Sequence, residues 1–210
     1  MKRSIFLTVF LFSVAAGVSV AQTQAPADLY KPVLDRLQAI TTIPLDGWKF
    51  IGTDLPHGEV PGAALAEAKP LALKQNLELP SWAYESVEVP RALNGYSVAG
   101  SRVALNLSVD GNTGILISVF VNGNMVARGD SDSQVPITLT QDAQPGQKLL
   151  IAVRIVASGT VGCCGGAPET YLSAASLMFE PGESRPDPTI LRQEIMAAEL
   201  LIAAYPDGKA

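Results

Sequence analysis

A Ser-His-Asp triad would have to run through His57, the one histidine of the chain. No G-x-S-x-G nucleophile elbow accompanies it. A zinc centre of the ordinary kind needs several His or Cys ligands, and the only cysteines are the adjacent pair Cys163-Cys164. His57, between Pro56 and Gly58, therefore reads as a plain loop residue. Cys163-Cys164 lies in the run Gly162-Cys163-Cys164-Gly165-Gly166. Consecutive Cα atoms are about 3.8 Å apart, below the usual disulfide range, so a vicinal bridge would be a strained tight turn. Two free thiols, or bridges between chains, are the alternatives. Without a C-x-x-C spacing no redox catalysis is implied.

Paired carboxyls hydrolyse glycosidic bonds when they flank one bond at about 5–9.5 Å. The pairs on offer are Asp130/Asp132 and Glu85/Glu88. Asp130-Ser131-Asp132 also carries the hard oxygens that calcium takes, but it lacks EF-hand spacing and reads as a solvated loop. No cofactor or metal set is implied. Trp48, Trp82, Tyr84 and Tyr96 are the residues a sugar site would use: the apolar C–H face of a pyranose stacks on an aromatic ring, and neighbouring polar side chains bond its hydroxyls. Trp82 is expected to be exposed, in a Pro80-Ser81-Trp82-Ala83 turn. Trp48 begins a strand and has the place of a core residue.

These residues must be positioned by strands. Ser101 to Gly129 reads as three consecutive ones. Val103, Leu105, Leu107 and Val109 alternate with Arg102, Ala104, Asn106 and Ser108, and Ile115, Ile117, Val119 and Val121 with Leu116, Ser118 and Phe120, the period of a half-buried strand. Asn122-Gly123 then suits a type I′ hairpin into Met125–Ala127. Leu71–Leu79, Tyr84–Val89, Pro136–Thr140, Lys148–Val156 and Tyr171–Phe179 are further strand candidates. Eight or nine strands divided by turn signals predict an antiparallel sandwich or jelly roll. Residues 52–70, rich in Gly, Pro and Ala, form a long loop, and loops of that length are commonly functional or mobile.

The sandwich is assigned to 44–181. Before it, 22–43 carries a helix from Asp28 to Ile40 with Leu29, Val33, Leu37 and Ile40 on one face. After it, 182–210 is a Pro-rich linker and a helix opened by Asp187-Pro188, with an apolar stripe along Ile190, Leu191, Glu194, Ile195, Ala198, Leu201 and Ile202. The first 21 residues read as a signal peptide: Lys2 and Arg3, the apolar run Ile5–Val14, and small residues Ser19 and Ala21 ahead of a cut before Gln22. That run is short of the ~20 apolar residues a membrane span needs. Export to a secreted or periplasmic location follows, with no membrane attachment after cleavage. The chain has 15 Lys+Arg and 20 Asp+Glu; loss of Lys2 and Arg3 leaves 13 against 20, a net charge of −7. An acidic chain without a basic cluster argues against a nucleic-acid partner.

Several of these segments also carry a resemblance. Ile43-Pro44-Leu45-Asp46-Gly47-Trp48-Lys49-Phe50, Trp82–Pro90, Gly100–Val103, Val121-Asn122-Gly123 and the Pro145–Val153 turn and strand resemble the galactose-binding-like jelly rolls at the N-terminus of large glycoside hydrolases. The Asn-Gly hairpin followed by a Pro-Gly turn and an apolar strand is similar to the sugar-binding domain of family 2 β-galactosidases and β-glucuronidases. The leading helix, the Leu93-Asn94-Gly95-Tyr96 turn and the closing linker and helix resemble the N-terminal module of zinc-dependent retaining α-mannosidases. The resemblance implies an all-β galactose-binding-like jelly-roll sandwich with flanking N- and C-terminal helices. Those mannosidases hold their metal with His and Asp ligands, and one His cannot reproduce that set, so no catalytic residue carries over and the catalytic domain is expected to be absent.

The expected function is therefore a secreted, non-catalytic carbohydrate-binding accessory module, with a glycan or a hydrolase catalytic domain as partner. The alternative is a structural or protein-interaction module that docks a separate partner through the C-terminal helix.

Overall fold

Alternation of buried and outward residues generates nearly every strand of the protein. The computed structural model describes residues 27–112, 114–130, 136–159, 169–182 and 185–204. Among them are helix α1 (Ala27–Ala39), strands β1 (Thr42–Pro44), β2 (Lys49–Ile51), β3 (Lys69–Pro70), β4 (Ser81–Glu88), β5 (Ala92–Leu93), β6 (Tyr96–Ser97), β7 (Arg102–Gly111), β8 (Ile115–Val121), β9 (Asn124–Asp130), β10 (Ile137–Thr140), β11 (Lys148–Ala157) and β12 (Thr170–Glu180), and helix α2 (Pro188–Ala204). A four-stranded sheet in the order β1-β12-β7-β10 faces a six-stranded sheet in the order β3-β2-β4-β11-β8-β9. All pairings are antiparallel. The architecture is the expected all-β sandwich with flanking helices.

The core lies between the two sheets. Val103, Leu105, Leu172, Leu177 and Phe179 come from one sheet, and Ala83, Val119, Leu149, Ile151, Val153 and Ile155 from the other. Each fully buried Val, Leu, Ile or Phe side chain is worth about 1.5–3 kcal/mol. Leu105 lies directly across the ladder from Leu177, both fully buried.

Two expectations are corrected by the structure. The three strands from Ser101 to Gly129 are not one meander: β7 pairs with β12 and β10, whereas β8 pairs with β11 and β9. The chain crosses from one sheet to the other between Gly111 and Ile115, because each of these strands is apolar on one face and both faces must close the same core. The strand expected at Leu71–Leu79 is reduced to β3 just before it; Leu71 and Leu77 are buried as loop anchors. Thr42–Pro44, between the first helix and the body of the sandwich, forms an edge strand on β12.

The Asn122-Gly123 turn is as expected, with φ of 49° and 85° and Val121 paired to Asn124. Both central residues occupy the left-handed region that a type I′ turn requires. Arg102 ties three strands together: its guanidinium donates to Glu180, directly opposite on β12, and to Thr138 on β10. Among the described residues no helix is long and apolar enough to cross a membrane. The signal peptide and the Cys163-Cys164 pair lie outside the described residues.

Candidate functional site

The outer face of the six-stranded sheet carries a second, smaller apolar cluster. Trp82 and Tyr84 on β4 alternate with the core residue Ala83, so their rings point away from the main core. They pack with Ala152 of β11, Phe120 of β8, and Ile51. The Trp82 and Tyr84 rings are 6.2 Å apart and nearly parallel at 7°, and Phe120 lies 5.6 Å from Trp82 at a tilt of 39°. A half-apolar sheet face exposed to water would lose this burial, and the segment between β2 and β3 covers it. Leu55 and Leu65 of that segment reach down onto the aromatic cluster, with a short 3₁₀ turn at Gly62–Ala66 completing the cover.

The tip of the cover is a tight turn. The N–H of Gly58 donates to Leu55 O at 3.2 Å and that of Val60 to His57 O at 3.0 Å, with His57 at φ 56°. Gly58 sits directly on Trp82: a Cβ built there would be 2.2 Å from Cε2 of the indole, so no larger residue fits. The buried Tyr84 hydroxyl donates to Gly58 O at 3.1 Å. Burial first, and then the Glu59 charge, push the Tyr84 phenol up to about 12.

Beside the tip, Arg154 of β11 donates through Nε and Nη2 to the two carboxylate oxygens of Asp54, at 2.9 and 2.5 Å. This fork holds Asp54 below its ordinary value. The Trp82 indole N–H adds weakly to that lowering without meeting hydrogen-bond geometry, and among the described residues it has no hydrogen-bond partner. His57 Nδ1 is 3.2 Å from Glu59 Oε1. Glu59 is held below its ordinary value, chiefly by its own backbone N–H. Asp54, Leu55, His57, Glu59, Phe120 and Arg154 ring an open concavity of about 410 Å³ with Trp82 at its base. Charges of both signs around an apolar floor can bond hydroxyl groups while covering a C–H surface.

The four nominated aromatics do not share a surface. Trp82 is not in an exposed turn; it is the second residue of β4 and 2% exposed, because the cover closes over it. Tyr84 is buried beside it. Trp48 belongs to the main core, on the other side of the sheet. Tyr96, in β6, holds the C-terminal linker: its hydroxyl donates to Pro186 O at 2.9 Å, and the Arg185 guanidinium lies 5.7 Å from its ring centre. Arg185 also donates to Ser97 O and Ala99 O. Glu85 and Glu88, three apart on β4, face opposite ways. Asp132 lies outside the described residues, and among those described no group of three or more His, Cys, Asp or Glu is arranged to hold a metal.

Asp54, Glu59, Phe120 and Arg154 were not singled out by the sequence. Arg154 carried a usable signal: it is the only charge between Lys148 and Ala157 in an otherwise apolar strand, on the outward phase set by Leu149, Ile151, Val153 and Ile155.

Glu85 faces inward on β4 and is buried. Its Oε1 accepts the Ser86 N–H at 3.2 Å, while Oε2 has no hydrogen-bond partner among the described residues. Burial raises its pKa above the ordinary glutamate value of 4.5, and the nearby Asp46 charge adds to the rise. A raised folded pKa means that the folded state prefers the neutral acid. The favourable contribution is complete below pH 4.5 and declines as pH rises through the folded value. Glu85→Gln is therefore expected to flatten that decline and to raise stability at pH 7–8 by about 1 kcal/mol, the scale of one buried polar group. Thermal unfolding of both proteins from pH 4 to 8 checks this; parallel profiles would contradict it.

No protein-family profile matches the sequence, and comparison with curated proteins brings no match. Solved structures do resemble it. A family 2 glycosyl hydrolase from Bacteroides cellulosilyticus aligns with a TM-score of 0.53 at 14% identity, over 68% of this chain and 21% of that one. β-Glucuronidase 2 from Bacteroides uniformis aligns with a TM-score of 0.51 at 13% identity, over 67% of this chain and 18% of the other. The fold is thus one found within glycoside hydrolases. The chain spans about a fifth of the length of these larger proteins.

Proposed function

We propose that the protein is an exported, non-catalytic accessory module of carbohydrate-binding type, working beside a glycoside hydrolase catalytic domain of family 2 or α-mannosidase-like kind. The glycan is held in the concavity above Trp82. The observation that carries the reading is the open concavity itself, rimmed by Asp54, Glu59 and Arg154 over an apolar floor of Trp82 and Phe120. Likeness of fold to modules within family 2 hydrolases supports it. In this arrangement Arg154 donates to sugar hydroxyls, Asp54 and Glu59 accept from them, and Phe120 supports the C–H face.

Affinity electrophoresis and a glycan array on the secreted protein test the reading. Arg154→Ala and Glu59→Gln are expected to weaken oligosaccharide binding at least about tenfold, or 1.4 kcal/mol, while leaving the fold intact, since exposed pairs contribute only about 0–1 kcal/mol to stability. An array on which the wild-type protein binds nothing would refute it. Sequencing the mature N-terminus tests export, with Gln22 expected first.

A further inference from the structure

The strand register places a second cation on the face that carries the aromatic cluster. Residues directly opposite one another in an antiparallel ladder point to the same side of the sheet. Trp82 of β4 pairs with Arg154 of β11, Arg154 with Ser118 of β8, and Ser118 with Arg128 of β9. These four form one cross-strand row on the outer face, whereas Ala127, next to Arg128 along β9, packs against the main core. The neighbouring row is apolar throughout: Tyr84, Ala152, Phe120 and Met125. The cover closes the Trp82 and Tyr84 end of the two rows. The other end is open, with Met125 55% exposed and Arg128 exposed beside it. Arg154 is forked onto Asp54 and Arg102 is joined to Glu180, but among the described residues Arg128 has no ion pair or hydrogen bond. Asp130, two residues along on the same face, is engaged in an interaction of its own.

Resting on the reading of the concavity as a glycan site, we propose that the protein takes acidic oligosaccharides: one unit lies over Trp82, and a carboxylate or sulfate on a neighbouring unit is held by Arg128. The concavity itself is a poor place for the anion. Asp54 and Glu59 stand against Arg154 there, and two donors of Arg154 are already engaged with Asp54. Nor does the charge of the whole chain draw an anion in, with 20 Asp+Glu against 15 Lys+Arg, so recognition has to come from a local cation. Arg128 is that cation. Its guanidinium presents a planar fork of N–H donors that matches the oxygens of a carboxylate or similar oxyanion, and no existing pair has to break for it to bind one. Two strand spacings, about 10 Å, separate it from Arg154, which sets the anion on a unit beside the one over Trp82. Phe120 and Met125, in the adjoining row, supply apolar surface on which the C–H face of that unit rests.

A glycan array bearing uronate, sulfated and neutral oligosaccharides on matched backbones, probed with the full secreted protein, tests the proposal. The acidic member of a matched pair is expected to bind at least about tenfold more tightly than the neutral one. That margin should shrink as salt rises from about 0.05 to 0.5 M, because an exposed pair is screened. Whichever acidic arm shows the margin identifies the anion that Arg128 reads. Arg128→Ala is expected to bring the acidic-to-neutral ratio to about one, and Arg128→Lys to keep part of it, since the charge stays and the fork is lost. If the alanine variant fails to fold, Arg128→Gln serves instead. Neutral members bound as tightly as acidic ones overturn this proposal while the glycan reading stands, as does a margin that survives in a folded Ala or Gln variant. Binding to no glycan at all refutes both.

Discussion

Leu177→Ala is expected to lower the unfolding free energy by about 2–5 kcal/mol, the range for deleting a large aliphatic side chain from a close-packed interior. Leu177 has no exposed surface and stands opposite Leu105 in the β12–β7 ladder, at the centre of the smaller sheet. Neither neighbour can move into the space, because β7 is held on both sides by β12 and β10 and the Arg102–Glu180 and Arg102–Thr138 bonds fix the register nearby. The cost therefore includes the cavity as well as the lost transfer free energy. Urea unfolding reads it as a lower midpoint at constant slope. Leu200→Ala is the control, a leucine 73% exposed on α2. It should change stability by less than about 0.5 kcal/mol. Leu105→Ala with Leu177→Ala should fall short of additivity, since the two share one cavity. Equal small effects at Leu177 and Leu200 would mean that the two sheets do not face one another as described.

The strands were legible where one face is apolar and the other is not. Arg102–Gly111 follows the period-two pattern across almost its whole length, and Asn122-Gly123 announces its hairpin by backbone chemistry alone. Which strand pairs with which was not legible. β7 and β8 are both one-faced and adjacent in sequence, so a meander and a crossover satisfy the same alternation. Only the core, which needs apolar faces from two sheets, separates them.

The site was half legible for a related reason. The 52–70 loop stood out by composition and length, but nothing in its sequence states that Gly58 lands on Trp82. Strand phase, read from Ala83 inward, would have set Trp82 and Tyr84 on the outer face. Whether that face is bare depends on a segment that returns from β2 to β3, a contact made across more than twenty residues. Large aromatics on the outside of a sheet call for a cover, and the Leu55 and Leu65 side chains supply it. Trp48 needed no such cover because its phase turns it into the main core.

The second large effect is expected at that contact. Gly58→Ala places a methyl carbon 2.2 Å from Cε2 of Trp82 and 2.6 Å from Cδ2 and Cζ2, distances that no van der Waals pair tolerates. The indole has no room to retreat, packed as it is among Tyr84, Phe120 and Ala152, so the tip of the cover must lift. Lifting it breaks the Tyr84–Gly58 hydrogen bond and strains the Asp54–Arg154 fork, whose carboxylate rides on the same segment. Overpacking of this kind costs about 1–3 kcal/mol, less than Leu177→Ala, because the sandwich beneath is untouched. The local readouts are larger. Trp82 emission should shift to the red and become open to acrylamide quenching, with Trp48, sealed in the main core, as the unchanged background. The Tyr84 phenol, freed from burial and moved away from Glu59, should titrate back from about 12 toward its ordinary value of 10. If the concavity holds glycans, the same substitution should weaken binding by more than about tenfold, since Asp54 and Glu59 move with the tip. An unchanged emission spectrum and an unchanged alkaline titration would show that the cover does not rest on Trp82. Lost binding with both spectra unaltered would instead locate the glycan contact away from the aromatic face.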